Sequence, residues 1–125
     1  MDSKVGKIIQ ECQRKLVLMK QDLLNRARGL RHEFAQNDKN SGDEADQTVA
    51  HLAEHHFLVS QERLRQQLIE IEFALARIER GQFGVCEETQ EPIEQERLLA
   101  IPYTRLSIEG AELREASKKK YARWK

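Results

Sequence analysis

Two long series of apolar residues at helical spacing constrain the fold of this 125-residue chain more than any other feature. In the first series the steps are mostly four and three residues, and its members are Val5, Ile9, Cys12, Leu16, Met19, Leu23 and Leu30. The members of the second series are Val49, Leu52, Phe57, Leu64, Leu68, Ile71, Leu75 and Ile78. Such spacing, sustained over several heptads, is typical of a coiled-coil seam.

The segment between the two series, residues 36–46, contains turn formers and no large apolar residue. Two amphipathic helices joined by one short polar connection most simply fold back into an antiparallel hairpin. Composition agrees with this, because 34% of the residues are charged and only 6% are aromatic, which favours long solvated helices. The sequence therefore predicts a mainly all-α fold, in which residues 1–80 form an antiparallel coiled-coil hairpin with an acidic tip at residues 37–48.

The remaining residues, 81–125, are predicted to form a small globular domain that ends in a helix. Gly81 stands where a glycine cap would end the second helix of the hairpin. A last helix is predicted from roughly Ser107, a possible N-cap, to Trp124. It ends in the basic run SKKKYARWK, for which a docking surface for an acidic partner and a solvated helix end are equally good interpretations.

Several features after Gly81 occur together at fixed offsets. A Gly-aromatic-Gly-x-Cys turn leads to Cys86, a Glu-Pro-Ile segment predicted as a strand follows at residues 91–93, and an Arg-Leu-x-Ala-x-Pro run ends at Pro102. In this combination, residues 79–110 resemble the four-cysteine zinc finger of the DksA/TraR family (DnaK suppressor proteins), regulators that bind RNA polymerase. Together with the helical hairpin, the resemblance extends over most of the chain.

The resemblance implies four zinc-ligand positions, which are Cys86, Thr89, Ser107 and Gly110. Only Cys86 can supply a thiolate, since the hydroxyls of Thr89 and Ser107 are poor zinc ligands and Gly110 has no side chain. One thiolate does not make a tetrahedral structural site, so we expect a degenerate finger with no metal and no other cofactor. Cys86 is then expected to be a small buried apolar residue.

The resemblance also assigns a role to the acidic tip. Asp43, Asp46 and Thr48 occupy the positions of an Asp-x-x-Asp-x-Ala motif at the tip of the family's coiled coil. This implies that the coiled coil enters the secondary channel of RNA polymerase, where the tip acts near the catalytic centre and modulates promoter open complexes. Composition alone favours a simpler interpretation, a solvated turn with acidic residues placed favourably at a helix N-terminus.

Other expectations concern ligands and partners. The 21 basic and 21 acidic residues cancel, so net charge gives no argument for nucleic-acid binding, and no sequence-specific DNA contact is expected. At the positions that the resemblance assigns to the alarmone guanosine tetraphosphate stand Glu70, Ile101 and Ala111 instead of basic residues. Charge-assisted phosphate contacts would be lost there, so we expect weak or absent alarmone dependence of a regulator otherwise typical of the bacterial stringent response.

The sequence also excludes some classes of protein. The first residues do not resemble a signal peptide, and no apolar run approaches the roughly 20 residues of a membrane helix. Cys12 and Cys86 do not suggest a disulfide framework, so a cytoplasmic protein without membrane contact is expected. No nucleophile–base pair or cofactor loop indicates an enzyme. Two alternatives to a regulator stay open, a coiled-coil adaptor or structural protein and a secondary-channel competitor that does not regulate.

Overall fold

The computed structural model describes residues 3–40 and 47–123, and the side chains of residues 4–36 and 47–123. Over these residues the chain forms four helices: α1 Ser3–Asn40, α2 Gln47–Glu79, α3 Gln95–Ala100 and α4 Ile108–Arg123. The predicted mainly α fold is confirmed, and α1 and α2 form the long helical hairpin. None of the described helices is both long enough and apolar enough to span a membrane.

Residues Leu18–Glu70 form one of two compact units and contain the distal parts of α1 and α2. Phe34 of α1 and Phe57 of α2 stack there with their ring centroids 4.3 Å apart and an interplanar angle of 11°. Val49 and Leu52, which the sequence placed in the α2 seam, are instead 62% and 65% exposed. The step from Leu52 to Phe57 is five residues instead of three or four, so the heptad phase that begins at Phe57 does not include Val49 and Leu52.

The second compact unit contains Met1–Val17 together with Ile71–Lys125. Its core cluster has four buried side chains, which come from α1, α3 and the chain between α2 and α3: Cys12, Cys86, Ile93 and Leu98. Four partly buried hydrophobic side chains pack against them: Ile8, Phe83, Leu99 and Leu106. This grouping by contact differs from the domain boundary at residue 80, which stays a prediction from the sequence.

Two hydrogen bonds join α1 to the last turn of α3 in this unit. The Cys12 thiol donates to the Leu98 carbonyl with an Sγ–O distance of 3.4 Å, and the Lys15 Nζ donates to the Leu99 carbonyl at 2.8 Å. Carbonyls in the last turn of a helix have no partner within the helix, and a cation is favourable there. The start of α1 therefore caps α3.

The end of α2 agrees with the glycine cap predicted from the sequence. Gly81 has a φ of +70°, and its N–H donates to the Ile78 carbonyl at 3.2 Å while the Gln82 N–H donates to Arg77 at 2.9 Å. This pair of bonds is a Schellman motif, in which glycine adopts the left-handed conformation without strain.

Three details differ from the sequence prediction. Helix α1 continues to Asn40, into the segment from residue 36 that was predicted as the connection. The short helix α3 was not predicted at all. The predicted strand at residues 91–93 is wrong, since over the described residues this part of the chain forms only an isolated antiparallel bridge between Val85 and Pro92.

Candidate functional site

The four positions that correspond to zinc ligands lie around the sulfur of Cys86. Cys86 is fully buried and Ser107 is 4% exposed, while Thr89 is half-buried. A tight turn orients Cys86, because its N–H donates to the Glu91 carbonyl and its own carbonyl accepts from the Gln90 N–H, both at 2.9 Å. This turn places the Cys86 side chain in the core of its compact unit.

Ser107 and Gly110 come from the start of α4. The Ser107 Oγ accepts a hydrogen bond from the Gly110 N–H at 3.0 Å, which makes Ser107 the N-cap of this helix. A Cβ built on Gly110 would overlap the Cys86 Sγ and would lie 3.3 Å from the Ser107 Oγ. The sulfur of Cys86 therefore fills the space that a fourth ligand side chain would need.

These residues do not fit a zinc ion. A structural zinc site needs four donors in a tetrahedron, each about 2.0–2.3 Å from the metal, whereas one thiolate and two hydroxyls are present here. The position of the Cys86 sulfur against Gly110 also leaves no room for a metal between them. Among the described side chains, those of residues 4–36 and 47–123, no group of three or more His, Cys, Asp or Glu is arranged to hold a metal.

Cys86 is a buried thiol whose pKa lies below its ordinary value. Burial acts to raise the pKa of its thiol, but hydrogen bonds from the side chains and backbones of Ser107 and Thr89 outweigh burial and lower the pKa to about 6. Cys86 is buried as expected, and it belongs to the hydrophobic core cluster. By contrast, burial raises the pKa of the Cys12 thiol.

Ion pairs connect the turn after Cys86 to α4. These contacts were not predicted from the sequence. The Arg114 Nε donates to Glu88 Oε1 at 3.0 Å, and another guanidinium nitrogen of Arg114 lies 3.6 Å from Glu87. Arg105 also lies 3.6 Å from Glu87. These partly exposed pairs contribute about 0–1 kcal/mol each. Since Arg114 lies 26 residues after Glu88, no local pattern in the sequence indicates the contact.

The second candidate site is the tip between α1 and α2, in the other compact unit. Helix α1 ends at Asn40 and α2 begins at Gln47. Asp43 and Asp46 lie in the six residues between them, outside the described residues. Thr48 is in the first turn of α2 and is exposed. The structure therefore describes only one of the three predicted tip residues.

Comparison with known proteins identifies the family. The model of the prokaryotic dksA/traR C4-type zinc finger matches residues 81–116. The RNA polymerase-binding transcription factor DksA of Caulobacter vibrioides is 34% identical over 101 residues, which cover 81% of this chain and 71% of that protein. General stress protein 16O of Bacillus subtilis is 38% identical over 68 residues, or 48% of this chain and 42% of that protein.

A solved structure has the same fold. Transcription factor DksA2 from Pseudomonas aeruginosa superposes with a TM-score of 0.83 and 32% sequence identity, over 90% of this chain and 87% of that one. The finger model matches the C-terminal region alone, whereas the DksA relative and this structure cover most of the chain. The chain belongs to the DksA/TraR family.

Proposed function

We propose that this protein regulates transcription by binding RNA polymerase. The observation that carries the proposal is its similarity to a DksA named as RNA polymerase-binding, over 81% of the chain. The likeness to transcription factor DksA2 over 90% of the chain also supports it, because it includes the helical hairpin as well as the finger-like region. A role in transcription is in turn the reason to expect a cytoplasmic location.

The finer proposal is that the hairpin enters the secondary channel of the polymerase. Asp43 and Asp46 would then act near the catalytic centre, with Thr48 beside them at the start of α2. Carboxylates at that place can interact with basic polymerase groups or perturb the environment of the catalytic magnesium ion. Open promoter complexes would change in stability as a result. Three of the six residues that connect α1 to α2 are acidic, which supports this assignment.

The finger-like region is proposed to act as a metal-independent scaffold. The Cys86 thiolate with its hydrogen-bond donors, and the ion pairs of Arg114, join the same chain segments that zinc would join in a four-cysteine finger. A scaffold role assigns neither an enzymatic step nor a sequence-specific DNA contact to the finger-like region. Glu70, Ile101 and Ala111 offer no cation to a phosphate-rich ligand, so the regulation would not depend on guanosine tetraphosphate.

The tip proposal predicts that charge at two positions controls regulation but not binding. The test is in vitro transcription from a ribosomal RNA promoter with the cognate polymerase, comparing wild type with Asp43→Asn/Asp46→Asn. Wild type should shorten the lifetime of open complexes, with or without the alarmone. The variant should bind polymerase with similar affinity and leave the lifetime unchanged.

A matched control is Glu33→Gln/Glu54→Gln, which removes two exposed carboxylates from the same compact unit and should act like wild type. If wild type does not bind polymerase at all, the proposal fails and the adaptor interpretation replaces it. Binding without any effect on open complexes would instead identify a competitor for the channel. Equal loss of effect in the tip and control variants would assign the activity to overall charge.

A further inference from the structure

The C-terminal half of α4 is exposed on all sides. Every residue from Glu115 to Arg123 is exposed, including Tyr121 with 68% of its surface accessible. A helical segment this short is marginal in water when it lacks tertiary packing. We call Ser117–Arg123 the basic segment, because four of its seven residues are Lys118, Lys119, Lys120 and Arg123.

The basic segment differs in composition from the surfaces where exposed cations form ion pairs. Three such cations pair with an acidic residue one turn away on the same helix, namely Arg14 with Glu11, Arg26 with Asp22 and Arg65 with Glu62. The basic segment itself contains no acidic residue, although Glu115 lies one turn before Lys118 and Lys119, and the last nine residues hold five of the 21 basic residues. The neutral total charge of the chain therefore conceals a strongly positive end.

The arrangement of the lysines favours one kind of partner. Three consecutive residues of a helix are spread over about 200° of its circumference, so Lys118, Lys119 and Lys120 do not lie on a single face that a folded acidic protein could match. Lysines are flexible point charges with three donors each. A polymer with a phosphate at every unit can meet such charges on several sides without fixed geometry.

From this arrangement we propose that the basic segment binds nucleic acid through its phosphodiester backbone, without sequence preference. Tyr121, exposed among the lysines, supplies an aromatic ring on which an unpaired base can stack. This binding site is additional to the tip and does not require the proposed contact with polymerase. It is compatible with the absence of sequence-specific DNA contact, because backbone contacts carry no sequence information.

The test is fluorescence anisotropy of labelled single-stranded and duplex oligonucleotides with the full chain and no polymerase. Wild type should bind both oligonucleotides. A plot of log affinity for the duplex against log salt concentration should have a slope of about −4, as expected for four phosphate contacts. The variant Lys118→Gln/Lys119→Gln/Lys120→Gln should lose about three units of that slope and at least about tenfold in affinity at low salt.

The control is Arg14→Gln/Arg26→Gln/Arg65→Gln, which removes three exposed positive charges whose side chains are 62%, 66% and 64% accessible. It should bind oligonucleotides as wild type does, and circular dichroism should show equal helix content in all three proteins. Equal weakening in both variants, or no oligonucleotide binding by wild type, overturns the proposal. So does binding to a polyglutamate peptide without binding to nucleic acid. Because polymerase is absent, none of these outcomes bears on the tip proposal.

Discussion

In the proposed metal-independent scaffold, the Cys86 thiol has a pKa below its ordinary value. Hydrogen bonds from the side chains and backbones of Ser107 and Thr89 lower the pKa of the Cys86 thiol against the effect of burial. Such bonds favour the anion even in a buried place, because they replace the water that burial removes. In the proposed scaffold, one thiolate would stand where a four-cysteine zinc site holds four thiolates and a divalent cation.

This assignment predicts a specific dependence of stability on pH. The folded-state pKa of Cys86, about 6, lies below the pKa of about 8.5 of an unfolded cysteine. The stabilisation is therefore complete above about pH 8.5 and is lost as the pH falls to 6. Under reducing conditions, the difference in unfolding free energy between wild type and Cys86→Ala should grow from pH 6 to pH 8.5 and stay constant below pH 6.

Absorbance of the thiolate near 240 nm gives an independent measurement. In the folded protein one thiol should titrate near pH 6 and disappear in Cys86→Ala, while Cys12, whose pKa burial raises, should titrate above the usual range. Ser107→Ala should move the lower titration upward, since it removes a donor to the sulfur. A single titration of both thiols at the pH of an ordinary cysteine would contradict the assignment.

At the scale of helices, the sequence predicted α1 and α2 well because their heptads are long and regular. It failed where a helix is short or polar. Helix α3 has six residues, too few for a helical period to be recognised. The end of α1 contains residues typical of turns, yet it continues the helix to Asn40. The exposure of Val49 shows that phase, and not apolar character alone, decides which residues enter a seam.

Two helical glycines should respond in opposite ways to the same substitution. Gly110→Ala should lower the free energy of unfolding by about 1–3 kcal/mol, because the new methyl group would overlap the buried Cys86 sulfur. Gly29→Ala should raise the free energy of unfolding by about 0.5–1 kcal/mol, because a Cβ at position 29 would meet no other atom within 4 Å and alanine is the better helix former. Urea unfolding of both variants measures this. Stabilisation by both would contradict the close packing around Cys86.

At the scale of the whole molecule, the sequence could not predict the composition of the core around Cys86. Cys12 joins that core from α1, and the sequence shows it only as one member of a heptad seam. The family motif predicted which residues stand at the ligand positions, since turn glycines and helix caps are local features. The contacts of Lys15 with Leu99 and of Arg114 with Glu88 depend on packing between distant segments.

Metal independence is a prediction for the whole protein. The melting temperature of wild type should not change when a chelator or zinc is added. In the variant Thr89→Cys/Ser107→Cys/Gly110→Cys, the Cys86 sulfur must move away from the new Cβ at position 110. With that shift the variant should bind one zinc ion per chain, and chelation should lower its melting temperature by more than about 10 °C, because structural zinc contributes folding free energy. Metal analysis of both purified proteins is the check. Stoichiometric zinc in wild type would refute the assignment.

The contacts between α1 and α3 also set an order of events during synthesis. Residues Leu18–Glu70 are contiguous and can pair as soon as both helices have left the ribosome. Cys12 must wait for Leu98, which is 86 residues later, or about 4–17 s at usual elongation rates. During that interval Ile8 and Cys12 lack the later residues of their core cluster, such as Leu98 and Leu99. A chain whose synthesis stops before α3 would keep Ile8 and Cys12 exposed. Cellular proteases could distinguish such a chain from a completed one by this exposed apolar surface.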